Sequence, residues 1–157
     1  MLRRDLLSLL DRPPATVETW DTEADDLGAE CTRMEEAIVG RGGLDLAIVG
    51  IGMNGHVGMN EPGSDPDSRA RVVQLHPDTV AGAARYGATE APVWGVTLGI
   101  GTLLEARAIW LLATGSAKAS VLARALEGTA STEVPASLLH HHPNLLVWAD
   151  RDAARYL

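Results

Sequence analysis

The segment Asp45-Leu46-Ala47-Ile48-Val49-Gly50-Ile51-Gly52-Met53-Asn54-Gly55-His56-Val57-Gly58-Met59-Asn60-Glu61-Pro62-Gly63-Ser64 runs from an apolar stretch into a loop dense in glycine and polar side chains. Its opening, Asp45 to Val49, is nearly all apolar and stops at Gly50, the pattern of a strand buried on both faces. Three similar runs follow: Val93–Leu98, Ala108–Ala113 and Leu145–Trp148, each bounded by Gly, Pro, Asn or charge. Helical patterns lie before and between them. Leu27, Cys31, Met34 and Ile38 share one helix face, with Thr22 as the expected N-cap and Asp25 in the first turn. A second helix is expected from a cap at Ser116, with Val121, Leu122 and Leu126 facing the core and Gly128 as its stop. Strands alternating with helices predict an α/β domain with a largely parallel sheet.

The glycines Gly50-x-Gly52-x-x-Gly55 match the dinucleotide-binding pattern. That pattern requires a helix to open at the turn, so that its N-terminus meets the pyrophosphate. Here Gly58, Pro62 and Gly63 follow at once, which opposes a long helix. No second strand ends in an acidic residue at the expected distance either. The nucleotide-cofactor reading is set aside on both counts. What remains is Asn54, His56 and Glu61 on one tight loop, at the strand end where open α/β sheets bind ligands. A histidine with a carboxylate partner suits general acid/base chemistry. The residues alone leave a second reading open, in which these side chains only cap and turn the backbone.

At 157 residues and 46% hydrophobic, the chain is long enough for one domain with its own core. A net charge of −8, from 21 acidic and 13 basic residues, argues against nucleic acid or an anionic membrane as its main partner. Cys31 is the single cysteine, so neither an intrachain disulfide nor a thiolate zinc cluster can form. Asp5 and Asp11 interrupt the N-terminal apolar run before it reaches the length of a secretory core, and no stretch approaches a membrane span. A cytoplasmic location is the expectation. His140-His141-His142 is read as structural or surface, because consecutive histidines do not share a helix face. Trp94, Trp110 and Trp148 are read as core residues on strands, and Cys31 as a small buried hydrophobe.

The run from Asp45 to Ser64, with its Gly-His-x-x-x-Asn-Glu-Pro core, resembles the signature segment of the glucosamine-6-phosphate deaminase family. The resemblance continues through Ser68-Arg69-Ala70-Arg71, Thr97-Leu98-Gly99-Ile100-Gly101-Thr102-Leu103-Leu104, Gly115-Ser116-Ala117-Lys118-Ala119 and Leu139-His140-His141-His142-Pro143. The related 6-phosphogluconolactonases share Gly-His but typically lack the Asn-Glu-Pro. The resemblance implies a Rossmann-like three-layer α/β domain, with residues 1–157 as its C-terminal part. It implies conversion of glucosamine 6-phosphate to fructose 6-phosphate and ammonia, with no cofactor and no metal. His56 matches the histidine that opens the pyranose ring, Glu61 its acidic partner, and Asn54 a position held by Asp or Asn. Arg85 and Lys118 match the phosphate ligands. For Lys118 the residue-level reading agrees, since a helix begun at Ser116 would offer it backbone N–H groups and a favourable dipole. Without the family match, solvated surface charges would be the simpler reading of both.

A complete deaminase has a preceding α/β portion with a Gly-rich phosphate loop and an Asp that moves the proton between C2 and C1. Residues 1–157 show neither motif, so turnover by this chain alone is left open. Ser64 and Arg71 match an allosteric site of hexameric bacterial members, whose lysine falls here at Val73. A homo-oligomer is implied on the same ground. The alternatives are a non-catalytic sugar-phosphate-binding remnant, a galactosamine-6-phosphate isomerase and a 6-phosphogluconolactonase.

Overall fold

The computed structural model describes residues 5–82 and 92–157. Helix α1, Leu27–Gly40, starts where the Asp26 side chain accepts a hydrogen bond from the Ala29 N–H at 2.9 Å. Asp26 therefore caps the helix in place of Thr22: a carboxylate three residues before a free N–H has the shorter reach. Its apolar face buries Cys31 and Met34 as expected. The helix ends on a loop in which the Gly43 N–H returns to the Ile38 carbonyl at 2.9 Å.

Strands β1 (Ala47–Gly50), β4 (Ile109–Ala113) and β5 (Leu145–Ala149) form a parallel sheet in the order β1-β4-β5. Ala47 stands opposite Ile109, and Ile109 opposite Leu145, which sets the register for the whole sheet. Between them, β2 (Arg71–Gln74) pairs antiparallel with β3 (Trp94–Thr97) as a separate ribbon. Val93–Leu98 is thus a strand as expected, but it lies outside the parallel sheet. Helix α2, Pro77–Gly82, follows β2, and α3, Ile100–Leu104, follows β3.

The core lies on one face of the sheet, where Ala47, Ile109, Leu111 and Ala113 meet α3, helix α4 (Ala119–Glu127) and the 3-10 turn Pro135–His141. Ser116 makes no side-chain cap; residues Ser116–Lys118 form a 3-10 turn first, and the α-helix begins at Ala119. Gly128 ends it as expected, with its N–H on the Arg124 carbonyl at 3.2 Å. The α/β class and the parallel sheet stand, but burial on both faces does not. Ile48, Leu112, Leu146 and Trp148 point to the other face and are exposed, and Trp110 packs edge-on to Trp148 at 5.8 Å. Trp94 and Trp148 are therefore surface residues, more than half exposed. His142 is buried, with Nε2 bonded to the Ala106 carbonyl at 2.7 Å, so it anchors the chain before β5.

Candidate functional site

The site is built on the turn after β1. Gly52 N–H bonds to the His56 carbonyl at 2.8 Å, closing a five-residue loop in which no helix opens. His56 folds back over Gly52: a Cβ there would lie 2.3 to 2.4 Å from three imidazole atoms. Only a glycine leaves room for the ring in this position.

Glu61 reaches the same place from the far side of the loop. Its Oε2 is 3.3 Å from His56 Nδ1 and accepts from Asn54 Nδ2 at 2.8 Å. Oε1 accepts from the His76 N–H at 3.3 Å. Asn54 Oδ1 accepts from the His56 N–H at 3.2 Å, so Asn54 ties the carboxylate to the loop backbone. The three residues singled out in the sequence are brought together, with Asn54 acting on Glu61 and the His56 backbone instead of on the imidazole.

Burial is the largest influence on both ionisable groups. It pushes His56 below its ordinary value, with the Lys118 and His76 charges adding to the effect and Glu61 pulling the other way. For Glu61, burial alone would raise the carboxyl, but hydrogen bonds from Asn54 and Thr79, the His56 ring and the His76 N–H outweigh it. The net result is a carboxylate held below its usual range beside an imidazole held neutral near pH 7.

His56 borders a cavity of about 620 Å³, lined also by Asn54, Ile51, Asp78, Thr79 and Lys118. Lys118 Nζ donates to the Ile51 carbonyl at 2.6 Å, which places the ammonium beside the loop that carries His56. It stands in a 3-10 turn, not inside the α-helix. Arg85 lies outside the described residues. Ser64 and Arg71 also meet: Arg71 donates to Ser64 Oγ at 2.9 Å and Asn60 Oδ1 at 2.7 Å, beside a separate cleft of about 280 Å³ that Glu61 borders too. Burial lowers the Arg71 guanidinium against a pull from Asp65.

Two contributors escaped the sequence reading. Asn60 is fully buried and donates to the Val57 and Leu98 carbonyls at 3.0 and 2.8 Å, pinning the residue next to Glu61. Its place in the Asn-Glu-Pro run was a signal of importance without a role. Thr79, 23 residues beyond His56, arrives on α2 with its hydroxyl 3.2 Å from His56 Nδ1. No local pattern announced it.

The arrangement is that of a parallel α/β sheet carrying a His–carboxylate pair and a lysine on the loops beyond its C-terminal edge. The chain belongs to the family of glucosamine-6-phosphate isomerases and 6-phosphogluconolactonases, whose model matches residues 1–148. It is 43% identical over 154 residues to the glucosamine-6-phosphate deaminase of Geobacillus sp. (strain WCH70), covering 97% of this chain and 61% of that one. To the glucosamine-6-phosphate deaminase of Cutibacterium acnes it is 46% identical over 158 residues, covering 99% and 60%. The solved structure of a monomeric glucosamine-6-phosphate deaminase superposes with a TM-score of 0.93 at 38% identity, over 99% of this chain and 66% of that one. The 6-phosphogluconolactonase of Trypanosoma brucei superposes less well, with a TM-score of 0.67 at 26% identity, over 99% and 65%. The chain therefore spans about three-fifths of the length of the curated relatives it matches.

Proposed function

We propose that residues 1–157 are the C-terminal part of a single aminosugar-phosphate isomerase/deaminase domain, and that the cavity takes a hexosamine 6-phosphate. The reaction of the whole domain is conversion of glucosamine 6-phosphate to fructose 6-phosphate and ammonia. The observation that carries this reading is the neutral His56 imidazole, backed by the ionised Glu61, on the wall of a cavity that Lys118 also lines. In the closed sugar, the neutral ring accepts the proton of the anomeric hydroxyl. The same proton then passes to the ring oxygen as the bond between that oxygen and C1 breaks, leaving the open aldehyde and a neutral imidazole again. Glu61 stabilises the imidazolium formed between the two transfers, and Asn54 holds Glu61 in place. The Asn60-Glu61-Pro62 run favours a deaminase over a lactonase.

Lys118 supplies one phosphate contact, with Arg85 as its partner, and no cofactor or metal is required. Ser64 and Arg71 stand as a remnant of the regulatory position, in a cleft where Val73 replaces its lysine. A cytoplasmic location follows from the class of metabolite; among the described residues no helix is long and apolar enough to cross a membrane.

Calorimetry with glucosamine 6-phosphate tests the site directly. One charge-assisted contact to phosphate contributes about 1.5–3 kcal/mol, so Lys118→Ala is expected to weaken binding roughly 10- to 150-fold. Binding by the parent chain that Lys118→Ala leaves unchanged would remove the phosphate from this place.

A further inference from the structure

We propose that Asp150 is a positioning residue: from the end of β5 its carboxylate fixes the Gly115 turn that carries Lys118, so that the ammonium meets a substrate phosphate in a set place. The inference rests on the phosphate reading of Lys118, the one lysine of the chain, and names a residue outside the signature loop and the phosphate contacts.

The turn leaves the middle strand of the parallel sheet. β4 lies between β1 and β5, and its last residue, Ala113, stands opposite Ala149. Asp150 continues β5 by one step, with its N–H on the Ala113 carbonyl at 3.3 Å. Its side chain then crosses to the loop beyond β4. The Gly115 N–H donates to both carboxylate oxygens, at 3.1 Å to Oδ1 and 2.9 Å to Oδ2, and the Ala153 N–H donates to Oδ1 at 2.8 Å. Three residues on, the Lys118 N–H closes onto the Gly115 carbonyl at 3.0 Å. Lys118 Nζ reaches the Ile51 carbonyl, just past β1, at 2.6 Å. The lysine turn is thus held from β5 on one side and from the residue after β1 on the other.

Gly115 makes the anchor matter. At φ 85° and ψ 151° it occupies a region that other residues rarely enter. A Cβ there would meet nothing within 4 Å, so glycine is needed for its conformation and not for a close approach. With no side chain to pack, the residue is held by its hydrogen bonds. Those from the Ala153 and Gly115 N–H groups also hold the Asp150 carboxyl below its usual range, so it is ionised and accepts only. The tether at the far end is the Lys118 ammonium itself, whose three N–H donors a phosphate would share with Ile51. Asp150 holds the turn without using the group that binds.

Because Lys118 is the one lysine, nitrogen labelling of lysine in the 157-residue chain gives a single side-chain ammonium signal. The wild-type Gly115 amide is expected to exchange with water more slowly than an unstructured glycine. Asp150→Ala should speed proton exchange at the Lys118 ammonium and weaken glucosamine 6-phosphate binding, each about 2- to 10-fold, the effect of one lost hydrogen bond. Asp150→Asn keeps a carbonyl oxygen in the place of Oδ1, which alone reaches both N–H groups, and should stay near wild type. In a Lys118→Ala background, Asp150→Ala should weaken binding no further, a coupling that a role confined to capping the terminal turn would not give. An unprotected Gly115 amide, an ammonium that Asp150→Ala leaves unchanged, equal losses in Ala and Asn, or binding losses that add when both residues are changed would each overturn the assignment. If the ammonium responds as expected while the chain binds no glucosamine 6-phosphate, the phosphate reading fails and the positioning of Lys118 stands.

Discussion

At the scale of single residues, the site depends on opposing effects on His56. Burial lowers the imidazole and Glu61 raises it, so the carboxylate keeps the ring from falling too far to act as a base. His56 is expected to titrate below the ordinary value of about 6.5. Glu61→Gln removes the one group pulling upward and should lower it further, which nitrogen-resolved titration would show. A wild-type value above the ordinary one, or a rise on Glu61→Gln, would contradict the balance. The stability consequence has a definite sign. Because folding depresses His56, the unfolded chain binds more protons as pH falls just below about 6.5, and stability is lost there. Glu61, also depressed, contributes above about 4.3 and loses its contribution as pH falls through its folded value. Both effects run the same way: acidification destabilises.

At the scale of elements, the loop from Gly52 to Ser64 is held by neighbours on both sides. Gly52→Ala is the sharpest probe of it. The added methyl cannot share space with the imidazole, so the ring must swing away from Glu61. The expected result is a chain that still folds while His56 titrates nearer its ordinary value, and an unchanged titration would show that the loop yields instead. Much of this arrangement was legible beforehand. The Asn54, His56 and Glu61 grouping follows from loop length, and the apolar faces of α1 and α4 follow from their spacing. Strand β2 was not seen, because four residues beginning at Arg71 and alternating in burial carry too little pattern to stand out. The capping errors share a cause. Thr22 and Ser116 are good capping types, yet Asp26 bonds the free Ala29 N–H directly, and a 3-10 turn intervenes after Ser116. Thr79 could not have been found at all, since its role comes from where α2 lands against the loop.

At the scale of the whole molecule, the sheet divides the chain into a packed side and an open one. All-apolar strands suggest a sheet covered on both faces, which is why Trp94 and Trp148 read as core. Among the described residues helices cover one face only, and Ile48, Leu112, Leu146 and Trp148 are left exposed on the other. The same chain matches about three-fifths of its relatives' length, so the activity of the whole domain is a larger question than the chemistry of this site. Ring opening is separable from the rest. It needs a proton shuttle at the anomeric hydroxyl and ring oxygen, and no base at C2. The two anomers of glucosamine 6-phosphate exchange only through the open chain, so a protein that opens the ring must speed that exchange even if it releases no ammonia. Exchange spectroscopy on the labelled sugar, with and without the 157-residue chain, measures this directly. The account predicts faster exchange with the parent chain and a return to the spontaneous rate with His56→Gln; no acceleration, or acceleration that His56→Gln preserves, would contradict it.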